Sequence, residues 1–436
     1  MKKLILLIAL HLILLWAVRY IAWPENFLWS YLNLNGLVFY RDIFYIYPPL
    51  YVLFLTAFYK LVHLGLFQLY LFSYLIIAAT DIALWLAARK KLFPVLLFIP
   101  LQIFFEGNST WPDQLIAPFL LFAYLLFRKK KFFLTGLFLG LAVLTKQTAG
   151  YFATGLVLLS VLQERKILSP SKIILGSAVP ALILIPWFLA NHNFPAFFAQ
   201  AGVYILTYHA KNPLQIQYPT LRETLTVTLV FLPPLLVALY RQRFSLALLT
   251  VLASLGVFTR FSYFHLQPAL PFIALLIGET PILLFPYAVF VLVFIRFFVR
   301  SFNQPAEFLT PDILSNAKII NRYLPPGSHT LFVNTWDHYY YLTKTLPVGN
   351  FFVSSTPWNL NYDGIQDKLT QNLAKNQPEY VVFNDCFFLK NQCFRPEKVK
   401  AYLFANYREI LKLPDGTGIF QYYPVRLGKE VQTQNR

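Results

Sequence analysis

The sequence predicts a polytopic α-helical membrane protein with a small α/β domain at its C-terminal end. Three observations lead there. Hydrophobic residues make up 57% of the chain and charged residues only 13%, too little polar surface to cover a soluble globule of this length. Apolar runs of about 15–22 residues, enough to cross roughly 30 Å of hydrocarbon, recur as far as position 299. Past Asn303 these runs give way to shorter helical and β-rich patterns.

The basic residues supply the topology. Lys2-Lys3, Arg89-Lys90-Lys91, the run 128–131, Arg165-Lys166 with Lys172, and Arg241 with Arg243 punctuate the apolar runs. Such clusters mark the cytoplasmic side, because short loops rich in Lys and Arg are retained there. Alternate loops carry far fewer. Helices near 4–21, 67–88, 92–107, 114–128, 132–147, 150–164, 172–190, 222–240, 244–260, 264–278 and 280–299 satisfy this parity. They amount to about eleven crossings and place everything after Arg300 outside. Met1-Lys2-Lys3 ahead of 4–21 resembles a signal peptide, but no small-residue cleavage site follows and the stretch can span, so it reads as a retained helix. The run 50–64 is apolar enough to cross, yet crossing would carry Arg89-Lys90-Lys91 outside, so it reads as interfacial. A formal charge of +18 would suggest nucleic acid in a soluble chain. Here the cations sit in short loops, and no nucleic-acid partner is expected.

After Asn303, a helix over 310–322, a strand over 329–334, a helix over 365–375, a strand over 379–384 and a helix over 396–412 indicate an α/β domain. It is taken as 301–436, beside a membrane domain of 1–300. Cys386 and Cys393 are the only cysteines. On an oxidising outer face they are expected to form one local disulfide, and the lack of neighbouring histidine argues against zinc.

Topology gathers charged residues at the outer face. Within 36–50, G-L-V-F-Y-R-D-I-F-Y-I-Y-P-P-L, Arg41 and Asp42 precede a Pro-Pro pair that cannot continue a span, because proline lacks its N–H. With them lie Glu25 in the same loop, Glu106 and Asp113 in the second, Lys146 at the end of the fifth helix, and Arg260 with His265 before the tenth. Each alone has an ordinary explanation. Helix-end charges anchor or snorkel; Asp42 is equally well explained as a solvated partner of Arg41; His265 and Gln267 fit satisfied interfacial groups slightly better than direct catalysis. Trp29, Tyr45 and Tyr47 belong to an aromatic belt or stack on a sugar ring. Gly136 and Gly140 form G-x-x-x-G, the spacing of close helix packing. Asp81, an acid inside a span, faces the bundle interior or snorkels, with no chemistry assigned. Together, two acidic loops beside several cations suit a reaction in which a lipid phosphate leaves and a hydroxyl attacks.

The 36–50 phrase, Trp111-Pro112-Asp113, the stretch from Gly136 to Thr148 containing Lys146-Gln147, and Arg260-Phe-Ser-Tyr-Phe-His265-Leu-Gln267-Pro268 resemble the C-type (GT-C) glycosyltransferases. The resemblance is greatest to the bacterial dolichyl-phosphate-mannose-protein mannosyltransferase-like group, which includes aminoarabinose transferases, and it spans nearly the whole chain. It implies the GT-C fold in the plasma membrane, and transfer of a sugar from a polyprenyl-phosphate donor to a lipid, glycan or protein acceptor outside the cytoplasm. In relatives an Asp, often Asp-Glu, follows the first helix. Here Pro24-Glu25-Asn26 is nearest, so Glu25 by position and Asp42 by its Tyr-Arg-Asp phrase both stand as the base. Asp113 matches the second-loop acid, which in related folds helps position the site or a divalent cation, and Glu106 is its candidate partner for such a metal. Lys146, Arg260, Arg41 and His265 are expected at the donor phosphate, and Tyr47 and Gln267 at the substrate.

The chemistry agrees with this on independent grounds. A sugar hydroxyl is a weak nucleophile at neutral pH, so a carboxylate within hydrogen-bond reach should take its proton, contributing about 10²–10⁴ in rate. Charge growing on the departing phosphate needs cations held in place beforehand. Single displacement with inversion needs no nucleophilic side chain, and no Ser/His/Asp order suggests one. The main rival is a transporter or flippase of a lipid-linked sugar. It is disfavoured because matching halves with broken helices are not evident and the charges collect at one face.

Overall fold

Each apolar run assigned to a crossing contains helix among its described residues in the computed structural model, which describes residues 1–164, 167–258, 260–278, 280, 283–389 and 392–423, and side chains outside 387–393. Leu66–Ala87, Leu168–Ala190, Leu221–Tyr240 and Leu284–Ser301 are each long and apolar enough to cross a membrane unaided. Shorter apolar helices, among them Phe132–Thr145 and Ala149–Glu164, pack between them. Much of this apolar surface is left outward: in Leu284–Ser301 only Phe290 is buried, an arrangement suited to lipid as solvent. The run 50–64 forms the helix Leu50–Val62. The helix Pro24–Leu34, within the long first loop that the sequence predicts, precedes it.

By its internal contacts the chain divides into two compact units, one of 1–35, 39–41 and 45–310, the other of 36–38, 42–44 and 311–436. The break in composition is near 300, and the main body of the second unit begins at Pro311. It does not reveal that two pieces of the first loop belong to the second unit.

In the first unit, small residues bring the helices Phe132–Thr145 and Leu168–Ala190 together. A Cβ on Gly136 would collide with the carbonyl oxygen of Ile173, and one on Gly176 with that of Phe133. The G-x-x-x-G of 136–140 is therefore a packing surface, as its spacing suggests. Gly136→Val is expected to lower stability by about 1–3 kcal/mol, the range for overpacking a close contact, read as a lower thermal midpoint in detergent. An unchanged midpoint would show that the two helices can part freely.

A buried polar cluster interrupts the apolar core. His11 Nδ1 lies 2.9 Å from Asp81 Oδ2 and His11 Nε2 lies 3.1 Å from Gln102 Oε1, all three residues buried. Asp81 thus faces inward to a partner, which is what an acid within a span requires. Gln102 Nε2 in turn donates to the Gly107 carbonyl at 2.8 Å. The cluster joins helix interiors to the loop that carries Glu106.

The second unit is built on a four-stranded sheet in the order Phe332–Val333, Tyr380–Phe383, Gly418–Tyr422, Tyr407–Lys412. Its first pair is parallel and the others antiparallel. Val381, Val382, Phe383, Ile419 and Phe420 are buried with Leu369 and Leu373 of the helix Ile365–Asn376 and Leu403 of Glu397–Asn406. The expected helix over 396–412 is correct only in its first part. From Tyr407 the chain is a strand, because pairing with Gly418–Tyr422 outweighs a local helical pattern. Cys386 is disulfide-bonded, and the side chain of Cys393 lies outside the described residues.

Candidate active site

Two helices of the first unit begin with the same kind of phrase. Trp23-Pro24-Glu25-Asn26 opens Pro24–Leu34, and Trp111-Pro112-Asp113-Gln114 opens Pro112–Arg128. Proline suits the first helical position, where its missing N–H has no partner to lose, and an acid in the first turn is favoured by the helix dipole. The amides after the acids hold the entry backbone. Asn26 Nδ2 donates to Thr110 O at 2.6 Å while its Oδ1 accepts from the Tyr51 hydroxyl at 2.6 Å. Gln114 Nε2 donates to Ser109 Oγ at 2.8 Å. The rings of Trp23 and Trp111 lie 5.3 Å apart. Two acid-bearing helix starts are thereby fastened to one another.

Asp113 is buried at the centre of an ionic cluster. Lys146, the residue that ends Phe132–Thr145, donates from Nζ to Asp113 Oδ1 at 2.9 Å and Oδ2 at 2.7 Å. His265 Nδ1 lies 3.0 Å from the same Nζ and 3.3 Å from Asp113 Oδ2. Sequence reading placed all three at one membrane face, and the structure brings them into direct contact. Lys146, expected at a donor phosphate, is here the counterion of Asp113.

Beside this cluster stands Tyr47, with Lys146 Nζ 5.9 Å from its ring centre. Trp29 and Trp111 flank it at 6.4 and 6.1 Å. Burial, reinforced by Asp113 and Glu25 and opposed by Arg260, holds its hydroxyl above the ordinary tyrosine range, so it stays protonated. Arg260 interacts electrostatically with both Tyr47 and Glu25, and its Nη1 donates to Gln215 Oε1 at 3.2 Å. Glu25, half-buried, and Arg260 thus share the surroundings of Tyr47.

Other candidates are placed differently. Glu106, at a left-handed turn with φ of 58°, accepts from Ser262 Oγ at 3.0 Å and the Phe264 N–H at 3.3 Å, fixing the segment before His265. Gln267 Nε2 donates to the carbonyls of Gln102 and Phe105 at 3.1 and 2.6 Å, a backbone brace. Arg41 is exposed. Asp42 belongs to the second unit, where its carboxylate accepts the Val38 N–H at 2.8 Å and its backbone carbonyl accepts from Phe352 at 2.8 Å.

The donor set does not suit a divalent cation at Asp113 and Glu106. Both Asp113 oxygens accept from the Lys146 ammonium, and among the described residues no group of three or more His, Cys, Asp or Glu side chains is placed to hold a metal ion.

Sequence reading missed His209 and Gln215, both in the stretch between the helices Leu168–Ala190 and Leu221–Tyr240. Burial, with the charges of Arg260 and Lys146 adding to it, pushes the His209 imidazole down to about 4, so it is neutral at pH 7. Neither residue stands in a charged phrase that would mark it. The doubled Trp-Pro-acid-amide phrase, by contrast, was a usable signal for pairing Glu25 with Asp113.

No protein-family model matches the chain, and no curated protein matches it. Solved structures do. ArnT from Cupriavidus metallidurans bound to undecaprenyl phosphate matches with a TM-score of 0.62 at 14% identity, covering 96% of this chain and 98% of its own. ArnT of the same organism in the apo state gives 0.63 at 15%, covering 96% and 97%. At such identities the likeness is one of fold, and it extends over nearly the full length of both chains.

Proposed function

We propose, on the premise that the chain has the GT-C fold of ArnT, that it is an integral membrane glycosyltransferase. It moves a sugar from a polyprenyl-phosphate donor to an acceptor outside the cytoplasm, with inversion. The observation that carries this reading is the gathering of Glu25, Tyr47 and Arg260 beside the buried Asp113, Lys146 and His265. Undecaprenyl phosphate bound to ArnT supports the class of donor.

In this reaction the acceptor hydroxyl attacks the anomeric carbon while Glu25 takes its proton. The bond from that carbon to the phosphate oxygen breaks, and the electron pair stays on the phosphate. Arg260 meets the growing charge with two N–H groups of its planar fork, which lysine could not do. The protonated Tyr47 offers an O–H to the sugar, and neutral His209 offers a ring nitrogen near the same phosphate. Asp113 holds Lys146 and His265 in place; Lys146 supplies positive field without leaving its carboxylate. Arg41 reaches the phosphate from the exposed loop. By the parity of the basic loops the chain after Arg300 lies outside the cytoplasm, and the acceptor is drawn from that compartment.

Arg260→Ala tests the reading through donor binding. Affinity for undecaprenyl phosphate, measured with a photoactivatable analogue on the purified chain, should fall about tenfold or more, the scale of a hydrogen bond to a charged group. Arg260→Lys should recover part of it. Wild-type affinity in Arg260→Ala, with a lowered thermal midpoint, would make Arg260 a loop tie and remove the donor site from this place.

A further inference from the structure

Away from the acids, the helices Leu66–Ala87 and Pro112–Arg128 pack together, and a cavity of about 430 Å³ opens between their C-terminal ends. Arg89, Lys90, Arg128 and Lys129 line it together with Leu86 and Leu125, and none of its lining residues is acidic. Two helix C-termini contribute roughly −0.5 charge each, so four cations leave the cavity strongly positive.

The backbone holds these charges against local preference. Arg89 and Lys90 have φ of 54° and 65°, the left-handed region that glycine enters without steric cost and in which it commonly ends helices. Cations stand where the turn alone would favour glycine. Two of the side chains are also steered. Arg128 Nη1 donates across to the Ala87 carbonyl at 3.2 Å, with its guanidinium 5.6 Å from the Tyr124 ring centre. Lys90 Nζ lies 6.0 Å from the Trp85 ring centre, and the Trp85 indole N–H donates to the Lys90 carbonyl at 2.9 Å. Trp and Tyr at helix ends mark the headgroup level of a bilayer.

From this we infer that the cleft binds the phosphate headgroup of an anionic membrane lipid. Retention of basic loops on one side of a membrane accounts for cations near helix ends, but not for a concave site that those cations line together with leucines. A phosphodiester anion meets part of this positive charge and accepts hydrogen bonds from it, and the lipid's acyl chains cover Leu86 and Leu125. A free polyphosphate would answer the charges and leave the leucines wet. Basic pockets between membrane helices are a recognised setting for such headgroups. The site is independent of the proposed transfer reaction.

Native mass spectrometry of the full chain, released from detergent with phosphatidylglycerol, phosphatidylcholine or inorganic pyrophosphate, tests this. Phosphatidylglycerol should be retained over phosphatidylcholine, and it alone should raise the thermal midpoint. The variant Arg89→Gln/Lys90→Gln/Arg128→Gln/Lys129→Gln should bind it more weakly by a factor on the order of a thousand, given the contribution of each cation near an anionic headgroup. The control Lys2→Gln/Lys3→Gln/Lys172→Gln/Arg241→Gln removes as many charges outside the cleft and should retain the lipid. Should the first variant fail to fold, Lys90→Gln/Lys129→Gln should show an intermediate loss. Equal retention by the cleft variant and wild type, or equal loss by the control, overturns the site. Displacement of the lipid by pyrophosphate overturns the lipid as occupant.

Discussion

Asp113→Leu is expected to cost about 3–5 kcal/mol of stability and to abolish sugar transfer, while Asp113→Leu/Lys146→Met regains the stability and not the transfer. The single change strands the Lys146 ammonium in a buried place, since both Asp113 oxygens accept from it. Breaking a buried pair by removing one partner costs that much, whereas replacing both partners with apolar groups of similar size is often neutral or better. Transfer does not return because the positive field beside Tyr47 is gone in the double variant. Thermal unfolding of both variants in one detergent, alongside transfer from a labelled polyprenyl-phosphate sugar, reads the two effects separately. A double variant as unstable as the single would sink the ion-pair account; one with full transfer would take the pair out of the reaction.

Glu25→Gln should lower kcat by roughly 10²–10⁴, the contribution of a positioned general base, with donor affinity and thermal midpoint close to wild type. Asp42→Asn should lower it less than about tenfold. The difference follows from what each carboxylate does. Glu25 lies in the electrostatic surroundings of Tyr47 and Arg260, whereas Asp42 accepts the Val38 N–H of its own turn, a bond of about 1 kcal/mol net. The glutamine variant should also lose the acidic limb of the pH–rate profile, which a merely structural residue would leave in place. If instead Asp42→Asn carries the large loss and Glu25→Gln stays active, the base is Asp42.

Much of the membrane-embedded fold is legible because hydrocarbon thickness imposes run length and the Lys/Arg asymmetry imposes parity; Arg89-Lys90-Lys91 and 128–131 do fall at helix ends. The strand Tyr407–Lys412 was not, since its state depends on Gly418–Tyr422, which a local window does not weigh. The same division holds at the site. Topology alone put Asp113, Lys146 and His265 on one face. Their pairing, across 33 residues in one case and 119 in the other, is a matter of packing. His209 escaped notice because it sits in a stretch whose importance comes only from what folds beside it.

The second unit is not contiguous in the gene: residues 36–38 and 42–44 belong to it, more than 260 positions ahead of its main body from Pro311. Within it Ile43 pairs with Phe352, and the Phe44 N–H donates to the Phe352 carbonyl at 2.8 Å. Recombination exchanges continuous stretches, so a chimera that swaps only 311–436 receives a foreign backbone partner at 42–44. The unit cannot travel as a cassette. A working transplant has to carry 36–38 and 42–44 along with it.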